Sequence, residues 1–136
     1  MNKEQAIKLL KKKLDKVHSE FIRMAEANVC YCCGSTDRPT CGHLFSRRSM
    51  ETRWDITKDG NCHVQCWSCN FKHGGRVFSP NDKYPYWKKY IDANSLDALD
   101  RLNKRSKTVR QWTLHELQQL HEKLKHAVMT GTAKME

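Results

Sequence analysis

Cys30-Tyr31-Cys32-Cys33-Gly34 and Cys66-Trp67-Ser68-Cys69-Asn70 decide the reading of this 136-residue chain. Each holds a Cys-x-x-Cys turn, and each turn can offer two thiolates to a tetrahedral Zn²⁺. Cys30, Cys33, Cys66 and Cys69 together make a four-cysteine structural zinc site. Gly34 suits the tight turn after the first pair, where positive φ is often required. Cys32 competes as a ligand, but neighbouring Cys32 and Cys33 bite a tetrahedral ion poorly. Seven cysteines fall between Cys30 and Cys69. An odd count without an apolar leader argues against a secreted disulfide scaffold. Cys41 and Cys62 read as small buried hydrophobes.

The two pairs are separated by residues 34–65, a gap of 32. A simple zinc ribbon has roughly 15–20, so something is inserted in the clamp. The insert reads Thr40-Cys41-Gly42-His43-Leu44-Phe45, then Ser46-Arg47-Arg48-Ser49, Arg53-Trp54-Asp55 and Asn61-Cys62-His63-Val64-Gln65. A short strand ending near His43, a basic loop, a second strand at 62–65 and a helix from about 67 give a ββα unit. His43, Asn61 and Asn70 then follow in the order His–Asn–Asn.

That order resembles the HNH, or ββα-metal, nucleases, including those pinned by four cysteines. The resemblance extends to Phe21-Ile22-Arg23, Gly42-His43 with Ser46-Arg47, Arg53-Trp54-Asp55, Asn61-x-His63-x-Gln65-Cys66 and Trp112-Thr113-x-x-Glu116-Leu117. These segments look like the phage NinG (Rap) recombination family over about residues 17–125. The resemblance implies a divalent-metal-dependent endonuclease acting on branched recombination intermediates such as Holliday junctions. It implies His43 as the water-activating base, Asn61 as the brace of the loop, and Asn70 as ligand of a catalytic Mg²⁺ or Mn²⁺. His73, three residues on, joins Asn70 as a candidate ligand. Many HNH nucleases carry Asp or His where Gly42 stands. Either His43 is the base with fewer protein ligands on the metal, or His43 itself binds metal and His63 or His73 substitutes.

The chemistry is consistent with these residue types. An imidazole with a pKa near ~6.5 takes a proton at neutral pH. The Asn70 carbonyl oxygen suits a hard ion rather than Zn²⁺. Arg47, Arg48 and Arg53 can grip phosphate in bidentate fashion. Lys72, Lys104, Arg105, Lys107 and Arg110 complete the candidate nucleic-acid contacts. Lys and Arg number 25 against 15 Asp and Glu, a formal net charge of +10 spread along the chain. A polyanion partner follows, branched or duplex DNA first and RNA as a weaker reading. A non-catalytic zinc-containing DNA-binding module is the alternative to the nuclease.

Only 38% of residues are hydrophobic, and no apolar run approaches the ~20 residues of a membrane span. The expected location is the cytoplasm of a bacterial host cell. The expected fold is α-rich α+β in three parts: an N-terminal helix over 1–29, the zinc-bound centre over 30–78 and a helical extension over 79–136. The first helix is expected over about 3–27. Its Ile7, Leu10, Leu14, Val17, Phe21 and Met24 recur every three or four residues, the spacing of a coiled-coil seam and hence of a homodimer. Tyr86-Trp87-Lys88-Lys89-Tyr90 is expected to pack on the zinc centre rather than stack on bases. Residues 103–110 read as a basic linker. Thr113-x-x-Glu116 is a capping box opening a last helix with Leu117, Leu120, Leu124 and Val128 on one face. The tail after Met129 is expected to fray.

Overall fold

The computed structural model describes residues 1–74 and 85–136. The expected turn at Ser79-Pro80-Asn81-Asp82 lies outside them. The elements are α1 (Lys3–Ala25), β1 (Pro39–His43), β2 (Cys62–Cys66), α2 (Trp67–His73), α3 (Pro85–Ala93), α4 (Leu96–Ser106) and α5 (Leu114–Met129). The fold is helix-rich with one two-stranded antiparallel sheet, and α2 starts directly at the end of β2.

A capping box starts α1: Asn2 accepts from the Gln5 amide and Gln5 accepts from the Asn2 amide. The helix stops where Ala27 and Asn28 take positive φ, and the Asn28 N–H reaches back to the Arg23 carbonyl at 2.8 Å. Asn tolerates this left-handed conformation better than most residues. The apolar stripe of α1 packs within the chain. Leu14, Val17 and Phe21 are buried with Leu117 and Leu124 of α5, and Ile7, Leu10, Leu120 and Val128 flank them. The face expected to form a dimer seam is therefore covered by the chain's own last helix. The reason lies in α5, whose leucines repeat at the same helical spacing and offer a matching stripe.

The expected capping box does open α5. Thr113 accepts from the Glu116 amide, and Glu116 from the Thr113 amide. The tail does not fray. Gly131, at φ +68°, turns the chain back, and Met135 is buried in the main core. Glu136 then exchanges main-chain hydrogen bonds with Ile56 and Lys58. The basic linker is shorter than expected, because α4 continues through Ser106.

A second core forms beside the sheet. Tyr86, Trp87 and Tyr90 of α3 are fully buried with Leu44, Leu99 and Leu102. The aromatic–lysine segment is thus a packing element, as expected, and its aromatic rings are not available to bases. No helix among the described residues is long and apolar enough to cross a membrane.

Candidate metal centre and nucleic-acid face

The strand register places Pro39 opposite Cys66, Cys41 opposite Val64, Gly42 opposite His63 and His43 opposite Cys62. Side chains alternate across a strand. Cys41, His43 and Cys62 therefore share the face toward α1, while Thr40, Gly42 and His63 share the other.

Cys66 at the end of β2 and Cys69 in the first turn of α2 meet Cys30 and Cys33 of the first knuckle. Their four sulfurs lie within 4.8 Å of one another. A tetrahedron with Zn–S bonds of ~2.3 Å has edges of ~3.8 Å, and Cys33 Sγ stands 3.8 Å from Cys66 Sγ. The amide of Cys69 points at Cys66 Sγ, and Gly34 takes the positive φ of 77° that the turn needs. Burial raises the Cys30 thiol, yet main-chain N–H groups around the knuckle draw it down to about 7. Cys32 is excluded: burial pushes its thiol up to about 12, and it takes a hydrogen bond from the Gln65 amide instead. Four cysteines that can hold a structural metal ion such as zinc are thus in place.

A family model described as Bacteriophage Lambda NinG protein matches residues 2–133. The chain belongs to the NinG family. No curated protein and no solved structure matches it.

Within this NinG chain, the His–Asn–Asn residues have distinct surroundings. Asn61 is fully buried and clasps the loop after β1: its Oδ1 accepts from the Phe45 amide at 2.8 Å and its Nδ2 donates to the Phe45 carbonyl at 2.9 Å. His43 faces α1, and its Nε2 donates to the Arg53 carbonyl at 2.8 Å. Burial holds its pKa below the ordinary value. Asn70 donates instead to Thr40 Oγ1 at 2.9 Å, on the opposite face of the ribbon. His43 and Thr40, the partner of Asn70, thus point to opposite faces of the ribbon.

The two substitutes for His43 are also tied into the fold. His63 is 2% exposed, bonded to Glu26 at 2.7 Å and stacked on Tyr31. His73 is 3% exposed; it donates to the Leu44 carbonyl at 2.8 Å and sits edge-on to Tyr86 and Trp87. The carbonyl oxygen of Asn70 is a hard donor, and His73 belongs to no group of three or more His, Cys, Asp or Glu ligands among the described residues. Gly42 has its own reason: a Cβ there would collide with the Gln65 side-chain amide. Gln65 occupies the space that a metal-binding side chain at position 42 would need.

The basic candidates divide into two groups. Arg47, Arg48, Lys72, Lys104 and Lys107 are exposed. Arg53 forms a bidentate pair with Asp15 at 2.9 and 2.6 Å. Arg105 pairs with Asp55 and Arg110 with Glu116, so these three guanidiniums brace the fold. Sequence reasoning missed Trp67 and Phe71, four residues apart on α2. They are 48% and 73% exposed and stack on each other at 5.3 Å, with the Arg38 guanidinium over Trp67 at 5.1 Å. Their i, i+4 spacing was the available signal. It also missed His18, which is buried against Cys41, His43 and Cys62.

Proposed function

We propose that this chain binds branched DNA formed during phage recombination and cuts it in a reaction that requires a divalent metal. The observation that carries the DNA-binding part is the exposed Trp67–Phe71 pair beside Arg38 and Lys72. An aromatic face rimmed by cations stacks on unpaired bases and holds the adjoining backbone. Branch points interrupt base stacking and expose base faces; continuous duplex does not. The NinG assignment and the ββα order support the cutting step, as does the Asn61 clasp, which is the loop-bracing role expected of the middle Asn. The hard ion for this step would arrive with the scissile phosphate, since Mg²⁺ is commonly held through substrate phosphates and few protein ligands.

The placement of His43 favours a second reading, a non-catalytic module that binds branch points for another enzyme. One assay separates them. The full chain is incubated with a labelled four-way junction and a matched linear duplex, with Mg²⁺, Mn²⁺ or EDTA. Nicks that depend on the metal, appear on the junction and vanish in EDTA establish the nuclease. Tight junction binding with no nick under any metal leaves the binding module.

A further inference from the structure

We propose that His18, Cys41, His43 and Cys62 form a second structural metal site, a Cys₂His₂ centre for Zn²⁺ between α1 and the β1–β2 ribbon. It shares no ligand with the four-cysteine centre, and it assigns His43 to the metal rather than to water activation.

One ligand atom from each residue lies within 4.8 Å of the others. The register explains three of them. Cys41 and His43 are two apart on β1 and so face the same way, and Cys62 stands directly opposite His43. The fourth, His18, comes from the buried stripe of α1, one turn after Leu14.

The imidazole orientations select a metal. His18 Nε2 is 2.7 Å from the Asp55 carbonyl, and His43 Nε2 is 2.8 Å from the Arg53 carbonyl. A carbonyl only accepts, so each Nε2 carries the hydrogen and each Nδ1 keeps its lone pair. Metal-bound histidines are fixed in this way, with the far N–H on a carbonyl. The spacing also fits. A Zn²⁺ tetrahedron with ~2.3 Å to sulfur and ~2.0 Å to nitrogen puts those atoms ~3.5 Å apart; His18 Nδ1 is 3.9 Å from Cys41 Sγ.

Burial decides the kind of site. Cys62 is fully buried and His18 is 1% exposed, with Cys41 and His43 half-buried beside them. All four positions around the ion belong to the protein, which is the arrangement of a structural rather than a catalytic zinc. Binding releases the two thiol protons to solvent. Two thiolates and two neutral imidazoles then balance the charge of Zn²⁺, so no net charge is buried. His43 serves here as a ligand, which accounts for its turning away from Asn70.

The test uses the purified full chain. Elemental analysis should give two zinc ions per chain, one for each cluster. Zinc K-edge absorption should show a mean shell of three sulfurs and one nitrogen, the average of a four-sulfur and a two-sulfur, two-nitrogen site. One zinc with a pure sulfur shell overturns the proposal, as does an intact mass showing a Cys41–Cys62 disulfide. These measurements on the parent need no variant to fold. His18→Cys, which preserves a ligand, should keep two ions and make the shell richer in sulfur; an unchanged shell in that variant counts against His18.

Discussion

Asp15 shows how one carboxylate organises its surroundings. It accepts two hydrogen bonds from Arg53 and one from Trp54 Nε1 at 3.0 Å. Burial raises its pKa, but these donors and Arg47 outweigh burial and hold it below the ordinary value. A lowered carboxyl stabilises the fold fully above its unfolded value of ~3.9, and that support is lost as pH falls from there through the folded value. Asp15→Ala leaves Arg53 without its partner and should cost roughly 3 kcal/mol. Urea unfolding at pH 7 and pH 3 checks both points: the parent–variant gap should be widest at pH 7 and smaller, by up to about 1 kcal/mol, at pH 3. Gly42 is equally specific. Gly42→Ala drives a methyl into the Gln65 amide and should destabilise by about 1–3 kcal/mol as an overpacking change, read from the shift in urea midpoint.

At the scale of elements, the α1–α5 pairing takes up the apolar stripe that the sequence offered to a dimer seam. Leu14 and Leu124 are both completely buried in one cluster. Leu124→Ala should cost about 2–5 kcal/mol. Leu14→Asp buries an unpaired charge against α5 and should unfold the chain rather than release a folded monomer. Sedimentation together with circular dichroism distinguishes the outcomes; a well-folded, monomeric Leu14→Asp protein derived from a dimeric parent would return the stripe to a dimer seam. Much at this scale was legible beforehand. The capping box at Thr113–Glu116 opens α5, and a short strand does end at His43. These features follow from local hydrogen bonding and side-chain periodicity. The partner of an apolar stripe is not local, because α5 and a second copy of α1 offer the same kind of surface.

At the scale of the molecule, the net charge of +10 has several exposed outlets. Arg47, Arg48 and Lys72 lie in and beyond the ribbon, and Lys13, Lys16 and Lys125 line a shallow cleft between α1 and α5. Removing one cation that neutralises a phosphate should reduce the log–log salt slope of duplex binding by roughly 0.9. Arg47→Ala with Arg48→Ala should therefore lower the slope by about 2 if both side chains touch phosphate. Arg53→Ala should instead lower stability, since its guanidinium is held by Asp15. Trp67→Ala should weaken junction binding by about 1–3 kcal/mol and affect linear duplex much less. Fluorescence anisotropy across a salt series on both substrates resolves the two effects; equal weakening on both would deny Trp67 a role at the branch.

The sequence by itself determined the four-cysteine cluster, because Cys-x-x-Cys spacing sets a local ligand bite and two such pairs need only be brought together. It also gave the order of the two short strands and the helix after them. The tertiary structure decided what strand polarity and packing alone can decide. Register put His43 and Thr40, the hydrogen-bond partner of Asn70, on opposite faces, and α1 supplied His18 to Cys41 and Cys62. Asp15 and Asp55 from distant segments pair with Arg53 and Arg105, and Glu116, one capping box away, pairs with Arg110. A residue's type and spacing limit the chemistry it can perform; the face it occupies and the neighbours it meets select which part of that chemistry it carries out.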